Sequence, residues 1–566
     1  MIILGVIGRS DVDDAHDAAA CLIRDGRLIA AMEQERVSRR RHAPGESPAA
    51  AIDCCLDIAG IEPDTIDAIA YGWLEDRLGD EAVEITPYIH CAAAHHGPIL
   101  GNSRLANAAP LPPIHFVSHH AAHMAAAYYT SGFDHAAGLI VDGQGENDSI
   151  TLFEGRNGYI RRLESYPVGY SLGLYYETAA AYCGLGWDAA GKLMGLAAYG
   201  HAEASPDFGY CPNTGRFRLP PELAATIDTE DAQIHVCNWQ KRFNVANFPY
   251  TSGEAGHHFL HIHFAAEAQA TLEAIALNLT CRLKRLTDAP NLLLGGGCAL
   301  NCCMNSRLAR EAGFDDIYAF PAANDAGAAV GAALALSYSL SDGVWTPPPR
   351  LVAPDLGVAY DEAAIASELE QQGMIGTPLG SEKLAEAAAD LLARDAILML
   401  FNGRDEFGPR ALGRRSFVAS PAKREITDRL NRIKGREIWR PIAPSILADE
   451  ADKVLMEAAV PGLDRYMLGV ATVRQSWRSC VPAVVHIDGT TRPHLVVETD
   501  EFYWSMIKAF YRRTGVPMVC NTSLNIRGEP IIHTPKQAIE MFLEQPDVDG
   551  LIVGQYLLTR DGLSTA

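Results

Sequence analysis

The amino-acid sequence predicts a two-domain α/β protein, whose N-terminal domain repeats a nucleotide-binding architecture. Three apolar runs typical of β-strands lead straight into glycine-bearing loops: IILGVIG at the start, GLIVDGQGE around Asp142 and LLLGGG around Gly296. Alanine-rich runs with helical character, such as AAHMAAAYY and GAAVGAALAL, lie between them. A proline-rich stretch, VWTPPPRLVAPDLG, separates this part from the remainder of the chain.

A strand that ends in a glycine loop can bring backbone N–H groups close to phosphate. Because this arrangement recurs, the first part is predicted to have the duplicated architecture of actin and the sugar kinases, in which two lobes close over a nucleotide. Pro347, Pro348, Pro349 and Pro354 stiffen the chain and stop helices, which predicts a domain boundary near residue 345. We therefore expect domains over residues 1–345 and 346–566.

Composition narrows the class of protein. A chain of 566 residues with 48% hydrophobic content is expected to contain more than one core. The formal charge of -23 disfavours a nucleic-acid partner, since binding to phosphate backbones depends on lysine and arginine. No run reaches the roughly 18 to 20 apolar residues of a membrane span, and the first residues lack a basic signal-peptide region, so a cytoplasmic protein without a membrane partner is expected. Thirteen cysteines without a CxxC pair indicate buried free thiols.

Four residues form a candidate metal site. His119 and His123 are four residues apart in a helix-forming run, which places both imidazoles on one helix face. Asp142 ends the strand GLIVD, and Asp325 lies in a small-residue loop that opens a helix. Two imidazoles and two carboxylates suit iron(II), manganese or zinc. Taken singly, each histidine could instead cap or hydrogen-bond, Asp142 could be a turn residue, and Asp325 a helix N-cap.

Basic and polar motifs indicate anion binding. Lys192 lies between glycines, where an ammonium could meet phosphate, or it is a solvated lysine on a turn. The segments GRDEFGPRALGRRS and NRIKGREIWRPIAPS are unusually rich in arginine for so acidic a protein, although some of these groups could pair with surface carboxylates. The N-terminal cluster of basic residues is either a solvated surface turn or an anion site; it contains Arg36, Arg39, Arg40 and Arg41.

Residues 201–260 have weak periodicity and are interpreted as an insertion. Their aromatic side chains suit a sugar-like or polycyclic acceptor, but packing against the core explains each of them more simply. These aromatic residues are Tyr210, Trp239, Phe243, Phe248 and Tyr250.

Motifs along nearly the whole chain resemble the NodU/CmcH type of carbamoyltransferase. They include AHDAAACLIRDGRLIAAMEQERVSRRRH, HHAAHMAAAY, VDGQGE, GKLMGLAAYG, LGGGCALNCCMN, FGPRALGRRS, NRIKGREIWRPIAPS and CNTSLNIRGEP, in this order. The resemblance implies a TsaD-like N-terminal domain and a YrdC-like C-terminal domain. It also implies that carbamoyl phosphate and ATP form carbamoyl-adenylate in the second domain, and that the carbamoyl group is transferred to a hydroxyl in the first.

The resemblance also implies residue roles. His119, His123, Asp142 and Asp325 correspond to the metal site of this family, usually iron, with manganese, zinc or magnesium as alternatives. His16 corresponds to a general base and Asp14 to an acceptor contact; taken alone, His16 would be a turn or surface residue. Arg41 falls at a position near the carbamoyl-adenylate where a relative has lysine. The remaining expected contacts to nucleotide and carbamoyl phosphate are Lys192, Gly296, Arg404, Lys434, Arg436, Arg440, Arg492, Asn521 and Ser523.

The sequence leaves three hypotheses for the function. The leading hypothesis is an O-carbamoyltransferase that acts on a small-molecule hydroxyl in antibiotic or other secondary metabolism. A tRNA-modifying enzyme is disfavoured by the negative charge of the chain. A kinase-like ATP-binding protein is disfavoured because it would not need the arginine-rich second domain. The sequence does not define the acceptor, and a homodimer is only the default expectation. Cys302 and Cys303 are expected to serve packing.

Overall fold

The computed structural model describes residues 1–13, 15–74, 83–92, 96–202, 208–211, 213–227, 229–243, 260–341, 345–374 and 376–560. The chain folds into two compact units. The first unit contains Met1–Gln34 and Pro44–Val352, and the second contains Glu35–Ala43 and Ala353–Ala566. The short N-terminal segment 35–43, which holds the basic cluster, is therefore part of the second unit.

The first unit contains a seven-stranded sheet with the order β3-β2-β1-β4-β7-β6-β5. β1 pairs antiparallel with β2 and parallel with β4, and β4 continues in parallel with β7. The outer strands β5 and β6 add antiparallel pairs. The strands are β1 (Ile2–Ile7), β2 (Ala19–Arg24), β3 (Arg27–Glu33), β4 (Ala68–Tyr71), β5 (Val83–Thr86), β6 (Ile89–Ala92) and β7 (Ile114–Val117).

A five-stranded sheet in the same unit has the order β10-β9-β8-β13-β14. β8 pairs antiparallel with β9 and parallel with β13, which pairs parallel with β14. Five consecutive strands of the first sheet, β3-β2-β1-β4-β7, follow the same order and directions, so the predicted duplicated α/β architecture is confirmed. The strands are β8 (His135–Val141), β9 (Asp148–Arg156), β10 (Tyr159–Pro167), β13 (Asn291–Gly295) and β14 (Asp316–Ala319), and a separate hairpin is formed by β11 (Gly209–Cys211) and β12 (Arg216–Arg218).

The helices of the first unit cover these sheets, which explains why β8 is apolar and buried at every residue after His135. Helix α1 crosses from the first unit into the second. The helices are α1 (Gln34–Ser38), α2 (Ala49–Ala59), α3 (His96–Leu100), α4 (His119–Ser131), α5 (Leu172–Tyr182), α6 (Ala190–Ala197), α7 (Pro221–Ala224), α8 (Ala232–Phe243), α9 (Ile262–Leu286), α10 (Cys302–Glu311) and α11 (Ala326–Ser339).

Helices α4 and α11 pack together at very short distance, and both begin next to the candidate metal ligands. A Cβ atom on Gly331 of α11 would stand 1.7 Å from the carbonyl oxygen of Ala122 in α4. On the other side of α11, a Cβ atom on Gly5 of β1 would stand 2.1 Å from the carbonyl oxygen of Ala329. The glycines and alanines of these segments are therefore required for close packing.

The second unit is built on a seven-stranded mixed sheet with the order β20-β17-β21-β16-β15-β22-β23, an α/β architecture as predicted. Its strands are β15 (Ile397–Phe401), β16 (Arg415–Ala419), β17 (Ala443–Leu447), β18 (Ala471–Thr472), β19 (Thr490–Thr491), β20 (His494–Val496), β21 (Met518–Ser523), β22 (Gly550–Val553) and β23 (Tyr556–Thr559). Its helices are α12 (Glu362–Gln371), α13 (Ser381–Leu392), α14 (Glu425–Ile433), α15 (Ala451–Val454), α16 (Pro461–Asp464), α17 (Gln475–Arg478), α18 (Phe502–Thr514) and α19 (Pro535–Glu544).

Other expectations can be compared with the fold. All thirteen cysteines are free thiols, as expected, but only Cys21, Cys55, Cys183, Cys302 and Cys520 are buried, and Cys211 and Cys480 are exposed. Tyr210 and Trp239 are buried and, with Phe243, pack against other aromatic rings of the first unit, which favours the core-packing interpretation. Phe248 and Tyr250 lie outside the described residues. None of the described helices combines the length and the apolar content needed to cross a bilayer.

The close helix packing gives a stability prediction. Gly331→Ala is expected to cost about 2 to 3 kcal/mol, because the added methyl overlaps the backbone of α4. The same substitution at Gly191, whose Cβ position has no atom within 4 Å, should change stability by no more than about 1 kcal/mol. Thermal unfolding followed by circular dichroism measures both, and equal melting temperatures would contradict the packing argument.

Candidate functional site

The four candidate metal ligands come from three structural elements of the first unit. His119 is the first residue of α4, and His123 follows one turn later on the same face. Asp142 comes directly after β8, and Asp325 precedes α11. The Asp325 side chain makes no capping hydrogen bond to its helix, so the alternative role as an N-cap is not observed.

The ligand atoms of these residues converge on one point. The Nε2 atoms of His119 and His123 are 3.1 Å apart, and Oδ2 of Asp142 lies 3.3 and 3.0 Å from them. Oδ1 of Asp325 lies 3.5 Å from the His119 nitrogen and 3.8 Å from the His123 nitrogen. Bonds of about 2.0–2.2 Å to one cation place ligand atoms roughly 3 to 3.5 Å apart, so the spacing fits a shared metal ion.

Charge and burial also fit a cation. Burial lowers the pKa of His119, but the carboxylates of Asp325 and Asp142 outweigh it and raise that pKa well above its usual value. Burial raises the pKa of Asp325, whereas His119 and His123 lower it to about 2 overall. Oδ2 of Asp142 is buried and accepts no hydrogen bond within the described structure. Two ionised carboxylates beside two neutral imidazoles would balance one divalent ion.

A glycine loop fixes the orientation of Asp142. Its Oδ1 accepts hydrogen bonds from the N–H groups of Gly143 and Gly297, at 2.8 and 3.1 Å. Gly296 has φ +81°, and a Cβ there would stand 2.3 Å from the carbonyl oxygen of Val141. This glycine, predicted as a nucleotide contact, is therefore required for the close approach of the loop after β13 to the end of β8.

His16 lies beside the group of four candidate metal ligands. Its Nδ1 is 3.5 Å from a carboxylate oxygen of Asp17 and 3.9 Å from one of Asp325. The hydrogen bond with Asp17 and the charge of Asp325 raise the pKa of His16 to about 10. The imidazole is more than half exposed and so remains accessible. Asp14, the predicted acceptor contact, lies outside the described residues.

In the second unit, several cationic residues predicted to bind anions lie close together. Burial and the guanidinium groups of Arg440 and Arg492 lower the pKa of Arg436. Arg440 has Arg41, Arg492 and Arg527 as cationic neighbours, and one carboxylate, Glu437, at 3.8 Å. Arg492 makes no hydrogen bond or ion pair within the described part of the chain. A group of positive charges with so little compensation is suited to bind an anion.

Lys434 supports a loop at the edge of this cluster. Its ammonium donates to Oδ1 and the carbonyl oxygen of Asn525, at 2.8 and 2.7 Å, and also contacts Ser523. Ser523 Oγ donates to the same Asn525 amide oxygen at 2.7 Å. Burial, followed by Arg436 and Arg440, lowers the pKa of Lys434 well below its usual value. Lys434 therefore shapes the loop that carries Ser523.

Asn521 has an amide of defined orientation. Its Nδ2 donates to the carbonyl oxygen of Ala411 and to Oγ of Ser445, at 3.0 and 2.9 Å, and Ser445 is bonded in turn to His494 at 2.8 Å. The Ala411 carbonyl can only accept, so it fixes which side of the amide faces it. Oδ1 of Asn521 is then left buried without a hydrogen-bond partner in the described structure.

Arg404 and Lys192 were also predicted to contact nucleotide or carbamoyl phosphate, but their surroundings differ from those of the arginine cluster. The Arg404 guanidinium donates to the carbonyl oxygens of Gly357 and Leu356, at 3.0 and 2.6 Å. Lys192 lies in the first turn of helix α6 rather than on a turn between glycines. Sequence reasoning missed Ser445 and His494, which lie within short strands. Ser445 ends the segment NRIKGREIWRPIAPS, but the arginines of that segment carried its signal.

Comparison with known proteins identifies the family. The sequence model described as the carbamoyltransferase N-terminus matches residues 9–102 and 99–334, and that of the carbamoyltransferase C-terminus matches residues 389–560. The chain belongs to the carbamoyltransferase family. The predicted resemblance is thereby confirmed, and the family assignment supports a transferase of carbamoyl groups.

The relatives of this carbamoyltransferase-family protein include nodulation proteins. Nodulation protein NolNO of Sinorhizobium fredii is 35% identical, covering 96% of this chain and 79% of its own. Nodulation protein NolO of Bradyrhizobium diazoefficiens is 34% identical, covering 78% of this chain and 79% of its own. Nodulation protein U of Sinorhizobium fredii is 28% identical, covering 93% of this chain and 95% of its own.

The cluster geometry predicts the effect of removing a ligand. His119→Ala and Asp325→Ala should each lower metal affinity by more than about 100-fold, because a ligand is lost outright rather than a supporting hydrogen bond. Metal content after dialysis and competition with a chromophoric chelator measure this. Asp315→Ala, which removes an exposed carboxylate in the same unit, should keep full affinity. Full metal content in both ligand variants would refute the assignment.

Proposed function

We propose that this protein is an ATP-dependent O-carbamoyltransferase that acts on a hydroxyl of a small-molecule acceptor. The observation that carries the proposal is the convergence of His119, His123, Asp142 and Asp325 in the first unit, with His16 beside them. Membership of the carbamoyltransferase family supports the transferred group. The proposed acceptor is an antibiotic or other secondary metabolite, with aminoglycoside, macrolide, ansamycin and glycosyl hydroxyls as the classes to test.

Activation of the carbamoyl group is assigned to the second unit. Carbamoyl phosphate and ATP are both polyanions, which suits the cluster of Arg41, Arg436, Arg440 and Arg492. Water converts carbamoyl phosphate to carbamate and phosphate; a carbamate oxygen then attacks the α-phosphorus of ATP, and pyrophosphate leaves. The product, carbamoyl-adenylate, has a good leaving group, and its nucleotide provides binding energy that can position the carbonyl. The free Oδ1 of Asn521 is suited to accept a hydrogen bond from an amide N–H of the substrate.

Transfer is assigned to the first unit. The acceptor oxygen attacks the carbamoyl carbon, AMP leaves, and His16 takes the hydroxyl proton. A divalent cation at the four ligands, iron(II) being proposed before manganese, zinc or magnesium, would polarise a carbonyl or phosphate oxygen as a Lewis acid. His16 must be neutral to act as a base. A cation held by Asp325 would offset the part of the raised pKa that comes from the Asp325 charge, while the hydrogen bond with Asp17 would still favour the protonated imidazole.

The reaction class can be tested with labelled carbamoyl phosphate, ATP and a panel of acceptors. We expect phosphate, pyrophosphate and AMP, with the label on the acceptor. ATP–pyrophosphate exchange that depends on carbamoyl phosphate should occur without any acceptor. Formation of ADP with a phosphorylated acceptor would overturn the proposal in favour of a kinase.

Substitution of His16 is expected to distinguish adenylate formation from transfer of the carbamoyl group. His16→Ala should leave ATP–pyrophosphate exchange within about twofold of the wild type and lower acceptor carbamoylation by about 10²- to 10⁴-fold, the usual contribution of a general base. The His96→Ala variant, whose imidazole bonds a loop carbonyl elsewhere in the first unit, is a control that should retain both activities. Unchanged carbamoylation in His16→Ala would remove this residue from the mechanism.

Arg492 tests the anion cluster, because its removal breaks no hydrogen bond or ion pair of the described fold. Arg492→Ala should raise the KM for carbamoyl phosphate or ATP in the exchange assay by about 10- to 100-fold, as expected for loss of a charged contact. Arg432→Ala, which removes an exposed arginine on α14, should leave both constants unchanged. An Arg492→Ala variant with wild-type KM values would place the anion elsewhere.

A further inference from the structure

The helix that carries both histidine ligands begins without a cap of its own. The first N–H groups of a helix have no partner within it and need an outside acceptor. Ser118 precedes α4, yet its side chain makes no capping hydrogen bond. Glu146 supplies the missing acceptor, because its Oε1 accepts the backbone N–H of His119 at 2.7 Å.

The same carboxylate holds the segment that contacts the His119 ring. Oε1 of Glu146 also accepts the N–H of Leu74 at 2.9 Å, in the segment that follows β4. Two residues earlier, the carbonyl oxygen of Gly72 lies 3.0 Å from Nδ1 of His119. The ring of Trp73, between them, packs against the same imidazole with centroids 4.7 Å apart.

The Gly72 contact determines which nitrogen of His119 can bind a metal. A carbonyl oxygen only accepts, so Nδ1 of His119 must carry the proton that it donates. Nε2 then has its lone pair free, on the side that faces His123 and Asp142. An outer hydrogen bond of this kind orients a ligand ring and typically changes metal affinity by about 10- to 100-fold.

Glu146 is also tied to the second ligand element. It lies in the loop that begins with Asp142, and this loop is closed by hydrogen bonds from Asp142 N–H to Ser149 and from Gly145 N–H to Asp148, at 2.8 and 2.7 Å. The backbone that carries Glu146 is therefore part of the closed loop that presents Asp142.

We infer that Glu146 is a positioning residue of the metal centre. It is not among the four ligands, but it fixes His119 at its backbone and, through the 72–74 segment, at its ring. This inference rests on the metal centre of the proposed function and adds the residue that sets its affinity.

Substitutions at Glu146 separate its two properties, hydrogen-bond acceptance and charge. Glu146→Ala is expected to lower the affinity for Zn²⁺ by about 10- to 100-fold and to change the visible absorption of bound Co²⁺, because the His119 ring is no longer held in one orientation. Glu146→Gln keeps an acceptor oxygen at the same reach and should restore affinity to within a few-fold of the wild type. Chelator competition and Co²⁺ spectra measure both effects without any assay of activity.

A matched control excludes a general loss of stability. Glu154 lies on β9 of the same unit, away from the candidate ligands, and its carboxylate pairs with Arg161 and His135. The Glu154→Ala variant removes this carboxylate. It should lower the melting temperature of the metal-free protein while leaving Zn²⁺ affinity and the Co²⁺ spectrum unchanged.

Three outcomes would overturn the inference: wild-type metal affinity in Glu146→Ala, equal losses in the Ala and Gln variants, or an equal loss in Glu154→Ala. Absence of metal binding by the wild type would instead count against the proposed function itself.

Discussion

Two carboxylates buried beside two imidazoles impose a charge requirement on the first unit. Ionised carboxylates are costly to bury without a counter-charge, and Asp142 and Asp325 are surrounded largely by the protein interior. The histidines can supply that charge as protons, which is why the pKa of His119 is raised. A metal ion would supply it more completely, because the electrostatic attraction that retains a proton would also retain a cation.

This requirement accounts for features that would otherwise be unconnected. The glycines after β13 allow backbone N–H groups to reach Asp142, and the small residues of α4 and α11 bring the starts of both helices to one place. A larger side chain at Gly296 or Gly331 would separate elements that carry the four candidate ligands. Close packing is thus the means by which segments distant in sequence supply one coordination site.

The arginine cluster of the second unit, around Arg436, Arg440 and Arg492, has the opposite electrostatic character, although the chain as a whole is strongly acidic. Its arginines cluster with few carboxylates, and a buried lysine is held by oxygen atoms of an adjacent loop instead of by a counter-ion. Such an arrangement leaves positive potential for a ligand to neutralise. Segment 35–43 contributes Arg41 to this cluster. Arg36 and Arg39 hold the segment in the same unit, because they donate to carbonyl oxygens of Gly408 and Ile531, at 2.8 and 2.7 Å.

The sequence by itself determined the α/β class, the duplication and the family, and it singled out the four candidate metal ligands, because strand periodicity, glycine loops and helical spacing can be read from short segments. It could not show that Asp325 leaves its helix uncapped, that Arg404 binds carbonyl oxygens, or that Lys434 supports a loop, since each depends on partners distant in the chain. Glu146 stood within a recognised motif, but its hydrogen bonds to His119 and Leu74 exist only once three separate segments meet. Tertiary structure decided these roles because hydrogen-bond partners are chosen by proximity in space.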